Sequence, residues 1–174
     1  KSGQEKVTDY RRALDLQTAL ASSTWKRGDT TFSQEVFCSH PDEALFIRIR
    51  AKGSKTLSFT LKLNRPQDKD HITHETIAIG NNSLQMQGQV TQRDGQIEGK
   101  AVPDMKGAHF FANLTVNTLE GSCLAEGNTL KITQAKEVLI RLTASTDFWS
   151  KSVRQKHLQS AVKKIDYNKA KQKH

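Results

Sequence analysis

The chain reads as an all-β protein: an antiparallel β-sandwich followed by a basic C-terminal helix. Three observations predict this. Between about residue 23 and residue 149, short runs alternate apolar and polar side chains with a period of two, the pattern of a half-buried strand. Turn formers punctuate the runs at Gly53, Asn64-Arg65-Pro66, Gly80-Asn81-Asn82, Asp94-Gly95, Glu120-Gly121 and Glu126-Gly127-Asn128, with no helical pattern between them. After Phe148 the period changes: Val153, Leu158, Ala161, Val162 and Ile165 fall at mixed three- and four-residue steps on a strongly basic background. About nine or ten strands in succession without a helix bury their apolar faces by packing sheet on sheet.

Taken in order, "YRRALDLQTALASSTW" (10–25) opens with two arginines and Leu14-Asp15-Leu16. The alternation reads as a strand, not as the basic edge of a recognition helix. Arg11 and Arg12 are expected to pair locally with Asp9 or Asp15, or with a part of the chain outside this sequence. "STWKRGDTTFSQEVFCSH" holds two runs around Gly28-Asp29 and reads as a hairpin. "ALFIRIRAKGSKTLSFTLKLN" reads as a second one. In it Phe46, Arg48 and Arg50 alternate with Leu45, Ile47 and Ile49, and Lys52-Gly53-Ser54-Lys55 makes the turn. Leu57, Phe59, Leu61 and Leu63 then alternate with Ser58, Thr60 and Lys62, leaving one wet face. "NSLQMQGQV", "GQIEGKAV", "AHFFANLTVNTLEG" and "TLKITQAKEVLIRLTASTDF" supply the remaining strands. Phe32, Phe37, Phe46, Phe59, Phe110 and Phe148 are read as core. The sandwich is assigned to residues 1–150 and the helix to 151–174. The helix's apolar stripe is too narrow to stand alone, so it is read as a linker or docking helix.

At 174 residues the chain is about one domain in size. No apolar run reaches the roughly 18–20 residues of a membrane helix, so no membrane partner is assigned. No secretory n-region or h-region follows Lys1. The formal charge is +9, but residues 151–174 hold eight Lys or Arg against Asp166 alone, which accounts for +7 of it. A charge that resembles nucleic-acid binding is therefore a property of the tail. That tail lacks interleaved aromatics and any helix-turn-helix companion, and a solvated linker face is the better reading; no nucleic acid is expected. Cys38 and Cys123 have no metal-ligand spacing; one disulfide and two buried free thiols both remain open.

Chemistry-bearing residues are sparse. His71 and His74, three apart on a strand, face opposite sides and hold no metal together. His40 lies in the turn "SHPDE", where Asp42 is placed to cap through its side chain. A catalytic His40–Asp42 pair is conceivable, but there is no G-x-S-x-G elbow, H-E-x-x-H or P-loop to complete it. The acids Glu35, Asp42, Glu43, Asp94, Glu98, Asp104, Glu120 and Asp147 show no spacing that pairs them for glycoside hydrolysis. Trp25 and Trp149, at strand ends, either stack on a sugar ring or pack under loops. The candidate carbohydrate contacts are thus Trp25, Trp149, His40 and Asp42. No catalytic residue, metal or cofactor is assigned.

Residues 9–63 carry a more specific signal: Tyr10-Arg11-Arg12, Leu14-Asp15-Leu16, Glu35-Val36-Phe37 and Ser39-His40-Pro41-Asp42 in that order. This resembles glycoside hydrolase family 95, the α-L-fucosidase-type enzymes, and "SLQMQGQV", "KEVLIRLTASTDF" and "YNKAKQKH" continue it. The resemblance implies a large, supersandwich-type domain preceding a helical (α/α) barrel. It also implies inverting hydrolysis by carboxyl groups of that barrel, none of which map onto this chain. The sandwich would brace the barrel and help to wall the sugar site, and its first strands would lie ahead of this sequence. The partners implied are the downstream barrel and, through the whole enzyme, fucosylated or galactosylated glycans. A bacterial, periplasmic or secreted setting is implied as well. Cys38 stands where the family has a small residue. Two rivals stay open: a stand-alone carbohydrate-binding sandwich using Trp25 or Trp149, and a polyanion binder using the basic tail.

Overall fold

The computed structural model describes residues 6–66, 74–92, 96–97, 100–101, 105–148 and 166–174. Among them are thirteen strands: β1 (Thr8–Asp15), β2 (Leu20–Arg27), β3 (Thr30–Ser39), β4 (Ala44–Lys52), β5 (Leu57–Lys62), β6 (His74–Ile79), β7 (Ser83–Gln92), β8 (Gln96–Ile97), β9 (Lys100–Ala101), β10 (Met105–Leu119), β11 (Ser122–Glu126), β12 (Thr129–Ala135) and β13 (Glu137–Thr146). One helix, α1 (Tyr167–Lys173), follows. Eight strands form an antiparallel sheet in the order β1-β2-β3-β4-β13-β10-β7-β6, and three form a second sheet, β11-β12-β5. β8 and β9 make a two-stranded ribbon. The chain is an all-β sandwich with a helix at its C-terminal end, as its periodicity predicts.

The core lies between the two sheets. Leu57 of β5 and Leu130, Ile132 and Ala135 of β12 pack on Phe32, Ala51, Leu84, Leu114, Val116, Val138 and Ile140 of the large sheet. Register explains why these residues meet. Phe32 lies opposite Ala51, and Ile47 and Ile49 lie opposite Ile140 and Val138, so one parity of β3, β4 and β13 points inward throughout.

The β2–β3 hairpin forms as read, with Gly28 at φ 61° in its turn. The second expected hairpin does not. β4 pairs with β3 and β13 in the large sheet, whereas β5 pairs with β12 in the small one. Residues 53–56 are a crossover between layers. Two-residue periodicity is the same for a strand that folds back and one that changes sheet, so the sequence pattern does not separate them. The tertiary structure does so through one knot of contacts. The Lys136 ammonium donates to the carbonyls of Gly53 (2.7 Å) and Lys55 (3.0 Å). The Lys136 backbone carbonyl accepts from the Ala51 N–H (2.9 Å) and its own N–H donates to the Leu119 carbonyl (3.0 Å). Three of the four changes of layer, β4 to β5, β10 to β11 and β12 to β13, are therefore tied at one residue; the fourth, β5 to β6, is not. Gly53 is required there: a Cβ would sit 2.6 Å from the Thr30 hydroxyl oxygen.

Other expectations are corrected. Cys38 and Cys123 are both free, and Cys38 is exposed rather than buried. Asp9 pairs with Lys26 (2.9 Å) across β1–β2, not with the neighbouring arginines. The Asp15 carboxylate accepts from the Gln17 and Thr18 N–H groups and closes the β1–β2 turn. Phe148 lies past the end of β13 and is 69% exposed, so it is not core. The stripe from Val153 to Ile165, like His71 and Trp149, lies outside the described residues.

Candidate functional site

The two faces of the large sheet differ, and the difference locates the site. The inner parity meets the small sheet. On the opposite parity of β3, β4 and β13 stand Glu35 and Phe37, Phe46 with Arg48 and Arg50, and Glu137 with Leu139. Phe37 and Phe46 are buried, at 2% and 3% exposed, as expected of core residues, but on the face turned away from the small sheet. Helix α1 covers them. Tyr167 and Ala170 bury against Phe37, Ala44 and Phe46, with Leu20 and Leu139 at the margin. The Phe37 and Phe46 rings stack at 5.2 Å, and the Tyr167 ring meets Phe37 edge-on at 5.3 Å.

Polar groups fix the helix around this aromatic plug. Asp166 caps it, its side chain accepting from the Lys169 N–H (3.1 Å). The Glu35 carboxylate accepts from the Tyr167 hydroxyl (2.8 Å) on one oxygen and from the Lys171 ammonium (3.0 Å) on the other. Arg48 lies over the Tyr167 ring at 5.0 Å, and its guanidinium donates twice to one oxygen of Glu137 (2.9 and 2.8 Å). Arg50 reaches the same oxygen. Burial pushes the Glu35 carboxyl up, but the bonds from Lys171 and Tyr167 outweigh it and hold the group below its usual range. The Tyr167 phenol moves the opposite way, raised far above its ordinary value by burial and by the Glu35 carboxylate. Glu35 is thus held ionised, and both it and Glu137 are engaged by several donors. That suits docking; a general acid needs a raised pKa and an open approach.

The three candidate contacts among the described residues, Trp25, His40 and Asp42, are not all brought together. Trp25 faces inward, stacked on Phe32 with centroids 5.6 Å apart and partly buried against the core. His40 and Asp42 follow the far end of β3, and the eight residues from Phe32 to Ser39 span about 23 Å of strand. His40 is exposed and its carbonyl accepts from the Glu43 N–H, closing a turn. Ser39, not Asp42, caps that turn: its hydroxyl accepts from the Asp42 N–H (3.3 Å) and donates to the Asp42 carboxylate (2.6 Å), which Lys173 of the helix approaches at 3.9 Å. Trp149 lies outside the described residues.

The His–Asp pair that does form is another one. His109 Nδ1 lies 2.7 Å from an Asp147 oxygen, and the His109 N–H donates to the second oxygen at 2.7 Å. These bonds hold the Asp147 carboxyl below its ordinary range. The register of β10 with β13, which sets Phe110 opposite Thr146, is what places them together. No sequence spacing announces that register. Among the described residues no group of three His, Cys, Asp or Glu side chains is placed to hold a metal ion.

The inner face is not fully covered. Every residue of β1 is exposed, with Leu14 at 63%. Arg12, Leu14, Ala21, Ser23, Gln34 and Val36 line an open hollow of about 460 Å³ there.

Comparison with known proteins agrees with this architecture. Residues 1–151 match the family model described as glycosyl hydrolase family 65, N-terminal domain. The chain is 29% identical over 149 residues to Alpha-L-fucosidase 2 of Arabidopsis thaliana, which covers 80% of this chain and 17% of that protein. It is 27% identical over 150 residues to Probable alpha-fucosidase A of Aspergillus niger, covering 82% of this chain and 16% of that one. A solved structure described as a putative kojibiose phosphorylase from human microbiome shares the fold, with a TM-score of 0.60 at 15% identity over 98% of this chain and 24% of its own. The chain thus spans less than a fifth of the length of these curated relatives.

Proposed function

The chain belongs to the glycosyl hydrolase family 65 N-terminal domain family, and from that premise we propose that it is the non-catalytic sandwich of a family-95-type, α-L-fucosidase-like inverting glycoside hydrolase. In this reading it braces a downstream helical barrel that carries the catalytic carboxyl groups, and it helps to wall the sugar site. The observation that carries the reading is its likeness to the two fucosidases, which runs through nearly the whole sandwich.

Two features of the fold support it. Phe37 and Phe46, on the helix side of the large sheet, are spent on seating α1, which suits a segment that leads out of the domain. The uncovered inner face at β1–β3 suits a sandwich whose first strands lie elsewhere in the polypeptide. Trp25, stacked in the core edge, does not favour a stand-alone carbohydrate-binding module.

The test is hydrolysis of 4-nitrophenyl α-L-fucopyranoside by the 174-residue chain and by the native polypeptide side by side. Cleavage by the native polypeptide alone supports the bracing role. Cleavage by the short chain overturns it and returns attention to its own acids and histidines.

A further inference from the structure

Beside the docked helix, the same face of the large sheet carries a second surface. Register sets Arg11, Thr24, Ser33 and Arg50 in one row across β1–β4, and Lys26 and Lys52 in the next. Arg11, Lys26, Arg50 and Lys52 are all exposed. Four strands at about 4.8 Å spacing put Arg11 and Arg50 about 14 Å apart, with Lys26 and Lys52 about 10 Å apart one pleat along. Arg50 shares Glu137 with Arg48, and Lys26 holds Asp9. Arg11 and Lys52 have no ion-pair partner among the described residues. The surface is therefore net positive and polar.

We propose that this face seats an acidic protein surface, that of the domain that follows in the native polypeptide; the inference rests on the bracing role proposed above. Two observations select that occupant. The surface is continuous with an interface already formed, because α1 lies over Phe37 and Phe46 on the same side of β3 and β4, with Glu35 and Arg48 bridging the two areas. Its charge is also patterned: Asp9 and Glu137 sit among the cations and are bound by Lys26 and Arg50, while Glu35 at the margin is held by Tyr167 and Lys171 of α1. A polyanion is best matched by an uninterrupted basic track, whereas discrete acids on a folded surface can meet the outer cations between these carboxylates.

Lysine footprinting with acetic anhydride tests this. In the native polypeptide Lys26 and Lys52 should react about fivefold or more slowly than in the 174-residue chain, as expected for groups excluded from water at an interface. Lys131, on the small sheet, should react alike in both. The double reversal Arg11→Glu with Lys52→Glu should lower the melting temperature of the native polypeptide and leave that of the short chain unchanged. Equal reactivity of Lys26 and Lys52 in both forms overturns the proposal. So does protection that appears only when a sulfated polysaccharide is added, which would make the face a polyanion site. Failure of the bracing role reads differently: the native polypeptide would then keep its full hydrolytic rate after the sandwich is removed.

Discussion

Replacing Tyr167 with alanine should detach the C-terminal helix while leaving the sandwich folded. The ring is 3% exposed, meets Phe37 edge-on at 5.3 Å and Phe46 at 6.5 Å, and lies under Arg48. Burial of such a ring contributes about 1.5–3 kcal/mol. The aromatic pairs add about 0.5–1.5 kcal/mol each, and the guanidinium about 0.5–1 kcal/mol. Losing them together falls in the range of about 3–5 kcal/mol known for aromatic-to-alanine changes. Against this stands the ordering of seven helical residues, at roughly 1–2 kcal/mol each for the backbone. So short a helix has no stability of its own. With the plug removed, Ala170 and the Glu35–Lys171 pair are too little to hold it. Hydrogen exchange at the Ala170 and His174 amides, which donate to Asp166 and Ala170, reads the result. Wild type should protect them, and Tyr167→Ala should bring them to exposed-peptide rates with little change in the denaturant midpoint of the β amides. Tyr167→Phe, which loses only the bond to Glu35, should cost about 1 kcal/mol and stay docked. Retained protection in Tyr167→Ala would refute the plug. A matching fall in the stability of the sheets would refute the independence of helix and sandwich.

Four further outcomes are expected. The Glu35 carboxyl titrates below its usual 4.5, so its contribution to docking is fully present above that value and lost as pH falls through the lower folded-state pKa; the Tyr167 ring resonances should shift towards solvent-exposed values over that acid range, and not in Glu35→Gln. Gly121→Ala should destabilise by about 3 kcal/mol or more, since φ is 63° and a Cβ would lie 2.2 Å from the Thr133 carbonyl, whereas Gly127→Ala, with the same sign of φ and open space, should cost only about 1–2 kcal/mol in urea titration. A maleimide should label Cys38 rapidly and Cys123 slowly, because burial raises the Cys123 thiol pKa and shields it; mass spectrometry of the peptides distinguishes them. Trp25→Ala should lower stability by about 3 kcal/mol through loss of the Phe32 stack, with no change in binding of α-L-fucose measured by calorimetry.

Much of the fold was legible because a strand with one dry face declares itself in its own residues. Phe32, Ile49, Leu57 and Ile132 alternate with polar neighbours, and burial follows that alternation. Gly28-Asp29 as a hairpin turn was local chemistry and could be read directly. Sheet membership was not legible. β4 and β5 have the period of a hairpin, and only the Lys136 knot sends β5 to the other layer. The docking site was hidden for a related reason. Phe37 and Phe46 have the wrong parity for the sandwich core, and their burial depends on a tyrosine more than a hundred residues later in the chain. Glu35 looked like any solvated acid until Tyr167 and Lys171 arrived on it, and His109 and Asp147 met only through the register of β10 with β13. The sequence by itself determined strand positions, turns and the all-β class, because these follow from side-chain periodicity and backbone preference within a few residues. The tertiary structure alone decided which strands share a sheet, which face the helix covers and which charges pair, because those contacts join residues distant in the chain and their energy exists only once both partners are in place.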